Sequence, residues 1–228
     1  MRKDVDPKLP PGVQLRISAT ARRVSLRVDA SKGVVLLIVP RRVSLARAAV
    51  FAQENRRWIG RKLAGLPAPV PFADGAEVPV GGVIHTIRHR GGMRGTVWIE
   101  GQEIHVAGRP EHLARRLTDW LKAEAKRQIL ALVERHAAVI GRRPGRLTLR
   151  DTTTRWGSCS PNGALAFCWR LILAPKEVMD YVVAHEMAHL VELNHGPRFW
   201  TLVRRLVSDV DGPKGWLSRH GIRLHRYG

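Results

Sequence analysis

The chain has 228 residues, 39 of them Lys or Arg against 19 Asp or Glu, for a formal charge of +20. This length gives one large domain or two small ones with a real core. The charge excludes an acidic surface and favours polyanionic partners: nucleic acid, nucleotides or an anionic membrane face. The alternative is a solvated Arg-rich surface, because the charges are spread along the chain and not gathered into a tail. Two cysteines, Cys159 and Cys168, make no disulfide scaffold. The first residues lack the apolar run of a signal peptide, and no stretch approaches the roughly 18 apolar residues of a membrane span. The expectation is a soluble, cytoplasmic protein.

Residues 1–12 are polar and Pro-rich and read as loose. Three strand-like runs follow, Val13–Ile17, Arg23–Val28 and Val34–Val39. The second alternates polar and apolar residues. The third is apolar throughout, as a central strand is, and Pro40 ends it. Ser44 can cap a helix over about Leu45–Leu63. Pro67–Pro71 is a stiff break, and four short strands then alternate with glycines: Glu77–Val80, Val83–Arg88, Thr96–Ile99 and Ile104–Val106. Residues 1–109 thus form a β-rich N-terminal module with one helix.

From residue 110 the pattern changes. Glu111–Ile140 reads as one long helix stopped by Gly141. Strands at Leu147–Asp151 and Ala164–Leu173 suggest a hairpin around the turn at Pro161-Asn162-Gly163. Pro175 suits the first position of the next helix, with Glu177 and Asp180 complementing its dipole. That helix carries His185-Glu186-x-x-His189, with His195 five residues further on. A helix over Arg198–Ser208, a short one at Trp216–Arg219 and an extended tail close the chain.

The histidine spacing has a chemical reading. Residues four apart on a helix share a face, so His185 and His189 can hold one zinc ion, with Glu186 beside them as general base. Val178, Met179, Val182, Val183, Met187 and Leu190 make the helix apolar on nearly every side. A buried helix of this kind must give its His and Glu partners. Asn194, in a left-handed conformation, with Gly196-Pro197 would turn the chain and return His195 as third ligand, leaving a fourth position open for catalysis. Glu192 shares the ligand face, either as that third ligand or as a group orienting one. Arg155, Arg170 and Arg198 flank the motif. They are candidates to bind a substrate phosphate or carboxylate, or plain surface arginines. Cys159 has no visible base to activate it.

The run Arg155-Trp156-Gly157-Ser158-Cys159-Ser160, then Trp169-Arg170-Leu171-Ile172 with Pro175, Asp180 to Glu186, and Asn194-His195-Gly196-Pro197-Arg198-Phe199-Trp200 resembles the YgjP-like metal-dependent hydrolases. These are small zincin-type proteins similar to the SprT-like and WLM proteases. The resemblance implies an α+β fold: the β-rich module followed by a small zincin-like catalytic domain over 110–228, built of a β-hairpin, the active-site helix and flanking helices. It also implies one Zn2+ per chain on His185, His189 and His195, with Glu186 catalytic. Cys168 departs from it, since the family usually carries Asn there.

The leading expectation is a zinc-dependent metallopeptidase, with Ala164–Ile172 aligning an extended peptide by β-addition. A zinc-dependent nucleotide hydrolase, with the three arginines on phosphate, is the alternative, although no Gly-rich phosphate loop is present. A nucleic-acid-binding protein, or a protease brought to DNA-bound targets by its basic surface, is the third reading.

Overall fold

The computed structural model describes residues 9–92 and 97–228. Residues 1–8 of the start expected to be loose over 1–12, and Thr96 at the beginning of the strand expected over Thr96–Ile99, lie outside the described residues. The architecture is α+β, and it divides into two compact units, residues 1–68 and 69–228.

In the first unit, β1 (Val13–Ser18), β2 (Ser25–Asp29) and β3 (Val34–Pro40) form a sheet in the order β1-β3-β2. The apolar run Val34–Val39 is therefore central, parallel to β1 and antiparallel to β2. Leu37 and Val39 are buried with Ala48 and Ala52 of α1 (Leu45–Glu54). The Ser44 hydroxyl accepts from the Arg47 N–H and caps α1. One helix was expected to Leu63; instead Asn55 breaks it, its side chain donating to the Phe51 carbonyl, and α2 (Arg56–Ala64) follows.

The second unit opens with a four-stranded sheet in the order β4-β5-β7-β6: β4 (Glu77–Val80), β5 (Val83–Arg90), β6 (Val97–Glu100) and β7 (Glu103–Ala107). The change of pattern near residue 109 is a change of secondary structure, and the compact units divide elsewhere. Val78, Ile87, Ile104 and Val106 share one core with Leu117 and Leu121 of α3 (Leu113–Ile140). Each fully buried Leu or Ile of that core contributes about 1.5–3 kcal/mol relative to exposure. Gly141 ends α3 at φ 68°, a left-handed cap closed by its N–H on the Ala137 carbonyl.

The expected hairpin takes a different form. β8 (Leu147–Arg150), β9 (Gly157–Cys159) and β10 (Leu165–Cys168) have the order β8-β10-β9, with β10 parallel to β8 and antiparallel to β9. The hairpin is therefore β9–β10, and β8 reaches β10 from the far side. The expected strand to Leu173 stops at Cys168, and Trp169–Leu173 winds into a buried 3-10 turn. Pro175 caps α4 (Lys176–Ala188) one position earlier than expected. Then come α5 (Pro197–Leu206) and α6 (Asp211–Leu224). α6 is longer than the reading at Trp216–Arg219, because Gly212, Pro213, Gly215 and Gly221 hide a helix that packing stabilises.

Arg170 holds the end of the chain in place. Its guanidinium is buried and donates twice to Asp151, Nε to Oδ1 at 2.7 Å and Nη2 to Oδ2 at 3.1 Å. Nη1 donates to the Leu224 and Tyr227 carbonyls at 3.2 and 2.5 Å. On α4, Asp180 accepts from Arg135, and His136 Nε2 of α3 lies 2.7 Å from its Oδ1. Burial pushes both carboxyls up, but the hydrogen bonds and charges of Arg170 on Asp151, and of His136 and Arg135 on Asp180, outweigh it and hold both below the usual range.

Arg170→Ala strips partners from two buried carbonyls and from Asp151, and should cost about 2–3 kcal/mol by urea denaturation. A carboxyl held low when folded stabilises above its unfolded pKa and loses that contribution as pH falls through the folded value. The denaturation midpoint should therefore drop below about pH 4, and less so in Asp180→Asn.

Candidate metal centre

α4 supplies the centre. His185 sits in its last turn and His189 caps it, still in right-handed helical geometry. The chain then leaves through tight turns: the Leu190 N–H donates to the Met187 carbonyl, Glu192 to Ala188 and Gly196 to Asn194. None of the described non-glycine residues has positive φ, so Asn194 does not adopt the left-handed conformation expected of it. The turn still returns His195 to the helix. His195 Nε2 lies 3.0 Å from His185 Nε2, and one ligand nitrogen from each of His185, His189 and His195 falls within 4.8 Å of the others.

Phe199 of α5 is the floor of this cluster. It is fully buried, with ring centroids 4.9, 4.6 and 4.7 Å from those of His185, His189 and His195. Trp200 lies 5.9 Å from His185 and from His195. The sequence named Phe199 only within the run that carries the family resemblance, with no role assigned; its four-residue distance from His195 was the available signal.

The electrostatics suit a cation. Burial, then the neighbouring His189, His195 and Lys214, push His185 down to about 4, so it is neutral near pH 7. His189 is lowered by burial too; its Nδ1 lies 3.1 Å from the Glu192 carbonyl, a bond that fixes the tautomer and partly opposes the shift. Glu192 thus meets the site through its main chain, where its side chain was expected. Imidazoles crowded nitrogen to nitrogen, with His185 Nδ1 buried and lacking a hydrogen-bond partner among the described residues, form a donor set that fits a divalent metal. His195 is exposed and leaves the cluster open to solvent.

Glu186, next along α4, is buried against β9. Burial raises it to about 7, while the Cys159 N–H and the Arg155 charge act to lower it. A carboxyl poised near neutrality is suited to proton transfer. β9 comes this close because of Gly157: a Cβ there would lie 2.5 Å from Glu186 Cγ and 2.7 Å from Oε1. The motif run contained Gly157, and only the packing reveals its purpose.

The arginines separate. Arg170 is corrected from a substrate-binding candidate to a structural residue, since Asp151 and two carbonyls occupy its donors inside the protein. Arg155 and Arg198 are exposed, and Arg155 acts on Glu186. Cys159, half-buried, is raised by burial and by the Glu186 charge, so it is no poised nucleophile. Cys168 is fully buried in a second group with Asp151 and His225, apart from the three-histidine cluster.

The chain matches the family model described as YgjP-like, metallopeptidase domain, over residues 22–220. It belongs to that family. As a YgjP-like metallopeptidase it is a metal-dependent hydrolase of peptides. Among solved structures it is similar to the metallopeptidase zymogen abylysin of Pyrococcus abyssi, at 23% identity over 43% of this chain and 97% of that one, with a TM-score of 0.37. It is also similar to the metallopeptidase zymogen jannalysin of Methanocaldococcus jannaschii, at 16% identity over 40% and 94%, with a TM-score of 0.36. Comparison with the curated proteins finds no match. Among the described residues, no helix of this YgjP-like chain is long and apolar enough to cross a membrane.

Gly157→Ala should force Glu186 out of place. Peptide cleavage should fall at least about tenfold with metal content unchanged. Parallel loss of metal would mean that the contact serves the whole site and not Glu186 alone.

Proposed function

We propose that the chain is a zinc-dependent metallopeptidase, with His185, His189 and His195 as ligands and Glu186 as general base. The observation that carries this reading is the convergence of three imidazoles, from the last turn of α4 and the turn that follows it, beside buried Glu186. A zinc ion held there would act as a Lewis acid toward a substrate carbonyl and acidify a water.

The chain's own residues do the rest. Glu186 takes a proton from the attacking water and returns it to the leaving amine. Its environment holds it between the two states, buried enough to accept the proton and tempered by the Cys159 N–H and Arg155. Phe199 keeps the histidine rings from turning away. The Glu192 carbonyl sets the tautomer of His189.

The peptide aligns on β9, in place of the Ala164–Ile172 strand expected for this role. β10 is flanked on both sides, by β8 and β9, and has no edge to offer. In β9 the even-numbered positions face β10: the Trp156 carbonyl accepts from the Cys168 N–H, and the Ser160 N–H donates to the Ala164 carbonyl. Gly157 and Cys159 therefore turn their backbone groups outward, and the Cys159 N–H is the one that reaches Glu186. An extended peptide added there runs beside the catalytic carboxyl. The nucleotide-hydrolase reading loses Arg170 to internal pairing.

The zinc-loaded protein should contain one metal per chain and cleave an unfolded protein such as casein. Glu186→Gln should keep the metal and lose about 10²–10⁴-fold in rate, whereas His189→Ala should lose the metal. A Glu186→Gln variant that stays active, or loses its zinc, would defeat the assigned role.

A further inference from the structure

The small sheet has a second face, opposite the one that buries Leu165 and Phe167. On it, Ser158 of β9 stands across from Ala166 of β10, and Arg150 ends β8 beside Cys168. The loop from β8 to β9 brings Thr154 and Arg155 to the same place. Arg150, Thr154, Arg155, Ser158 and Ala166 line a cavity of about 150 Å³. Its chemistry is one-sided. Two guanidiniums and three hydroxyls line it, with Phe167 beside them, and none of the lining residues is a carboxylate. Among the described residues, Arg150 and Arg155 make no salt bridge, although the Arg155 charge also reaches Glu186, and the Thr154 and Ser158 hydroxyls make no hydrogen bond. Thr152, also at the wall, spends its hydroxyl on the Arg155 carbonyl at 2.8 Å, which ties the loop that carries Arg155.

The position of this cavity gives it a purpose. A strand added to β9 sends alternate side chains to the two faces of the sheet. Those on one face lie over Glu186. The residue opposite Ser158 sends its side chain to the other face, within about 5 Å at Cβ, at the mouth of the cavity. Guanidinium forks and hydroxyls recognise a carboxylate or a phosphate, and not a neutral amide, with charge-assisted hydrogen bonds.

We infer that Arg150, Arg155, Thr154 and Ser158 form a subsite for an anionic side chain of the peptide substrate, one residue away from those that face the catalytic centre. The assignment rests on the peptidase reading for its substrate and on the β9 edge for its geometry. It makes the enzyme selective for acidic stretches, and the charge of +20 draws such peptides in.

The test measures binding, so it does not depend on turnover. The zinc-loaded Glu186→Gln protein is titrated into three fluorescein-labelled pools of random octapeptides, followed by anisotropy. The pools differ only in one central residue: Glu, phosphoserine or Gln. At least one anionic pool should bind about tenfold tighter than the Gln pool, and the tighter of the two identifies carboxylate or phosphate as the preferred group. Adding Arg150→Gln should bring the pools within about twofold of each other. Adding Arg204→Gln, which removes an equal charge on exposed α5, should leave the preference intact. Equal binding of the pools, no binding of any, or equal effects of the two Arg substitutions would overturn the subsite. Wild-type protein that cleaves no pool would count against the peptidase reading alone, and the anisotropy would still decide the subsite.

Discussion

The site depends on placing ionisable side chains where water cannot serve them. α4 is apolar on most of its surface because it runs through the core of the second unit, and its last turn carries His185 and Glu186 into that environment. Burial acts on both in the direction catalysis needs: it disfavours the charged form of each, leaving an imidazole free to bind a cation and a carboxyl able to take or release a proton near neutrality. Burial is the largest cause of each shift. Each follows from the same packing that makes the helix stable.

Around that constraint the rest of the unit supplies positions. The turn after α4 returns His195, Phe199 backs the three rings, and Gly157 lets an edge strand pass close over Glu186. Arg170 works at one remove. By pairing with Asp151 after β8 and with the carbonyls of Leu224 and Tyr227, it binds the last turn of α6 to the sheet that holds β9. A charged residue at a motif position is here part of the frame. Surface arginines at β8 and in the following loop, by contrast, face an open polar cavity.

How much of this was legible in the sequence depended on the range of the interaction. His185, Glu186 and His189 were readable because helix geometry is local, and the Ser44 cap and Gly141 stop for the same reason. The apolar run Val34–Val39 announced a central strand. What was misread was non-local. The partner of β10 on its far side is β8, in parallel, and no turn signal can encode a parallel pair. Taking β8 and β10 for a hairpin hid β9, and with it the edge where a peptide can add. α6 was shortened because its glycines and proline speak against a helix that tertiary contacts impose. The fate of Arg170 was invisible because its partners lie 19, 54 and 57 residues away.

The central claim is that one metal sits among His185, His189 and His195. Anomalous diffraction at the zinc absorption edge, from crystals of protein purified with its native metal, tests it most directly. The account predicts one peak about 2.0–2.1 Å from a nitrogen of each histidine. Absence of a peak there, or one lying instead among Asp151, Cys168 and His225, would contradict it.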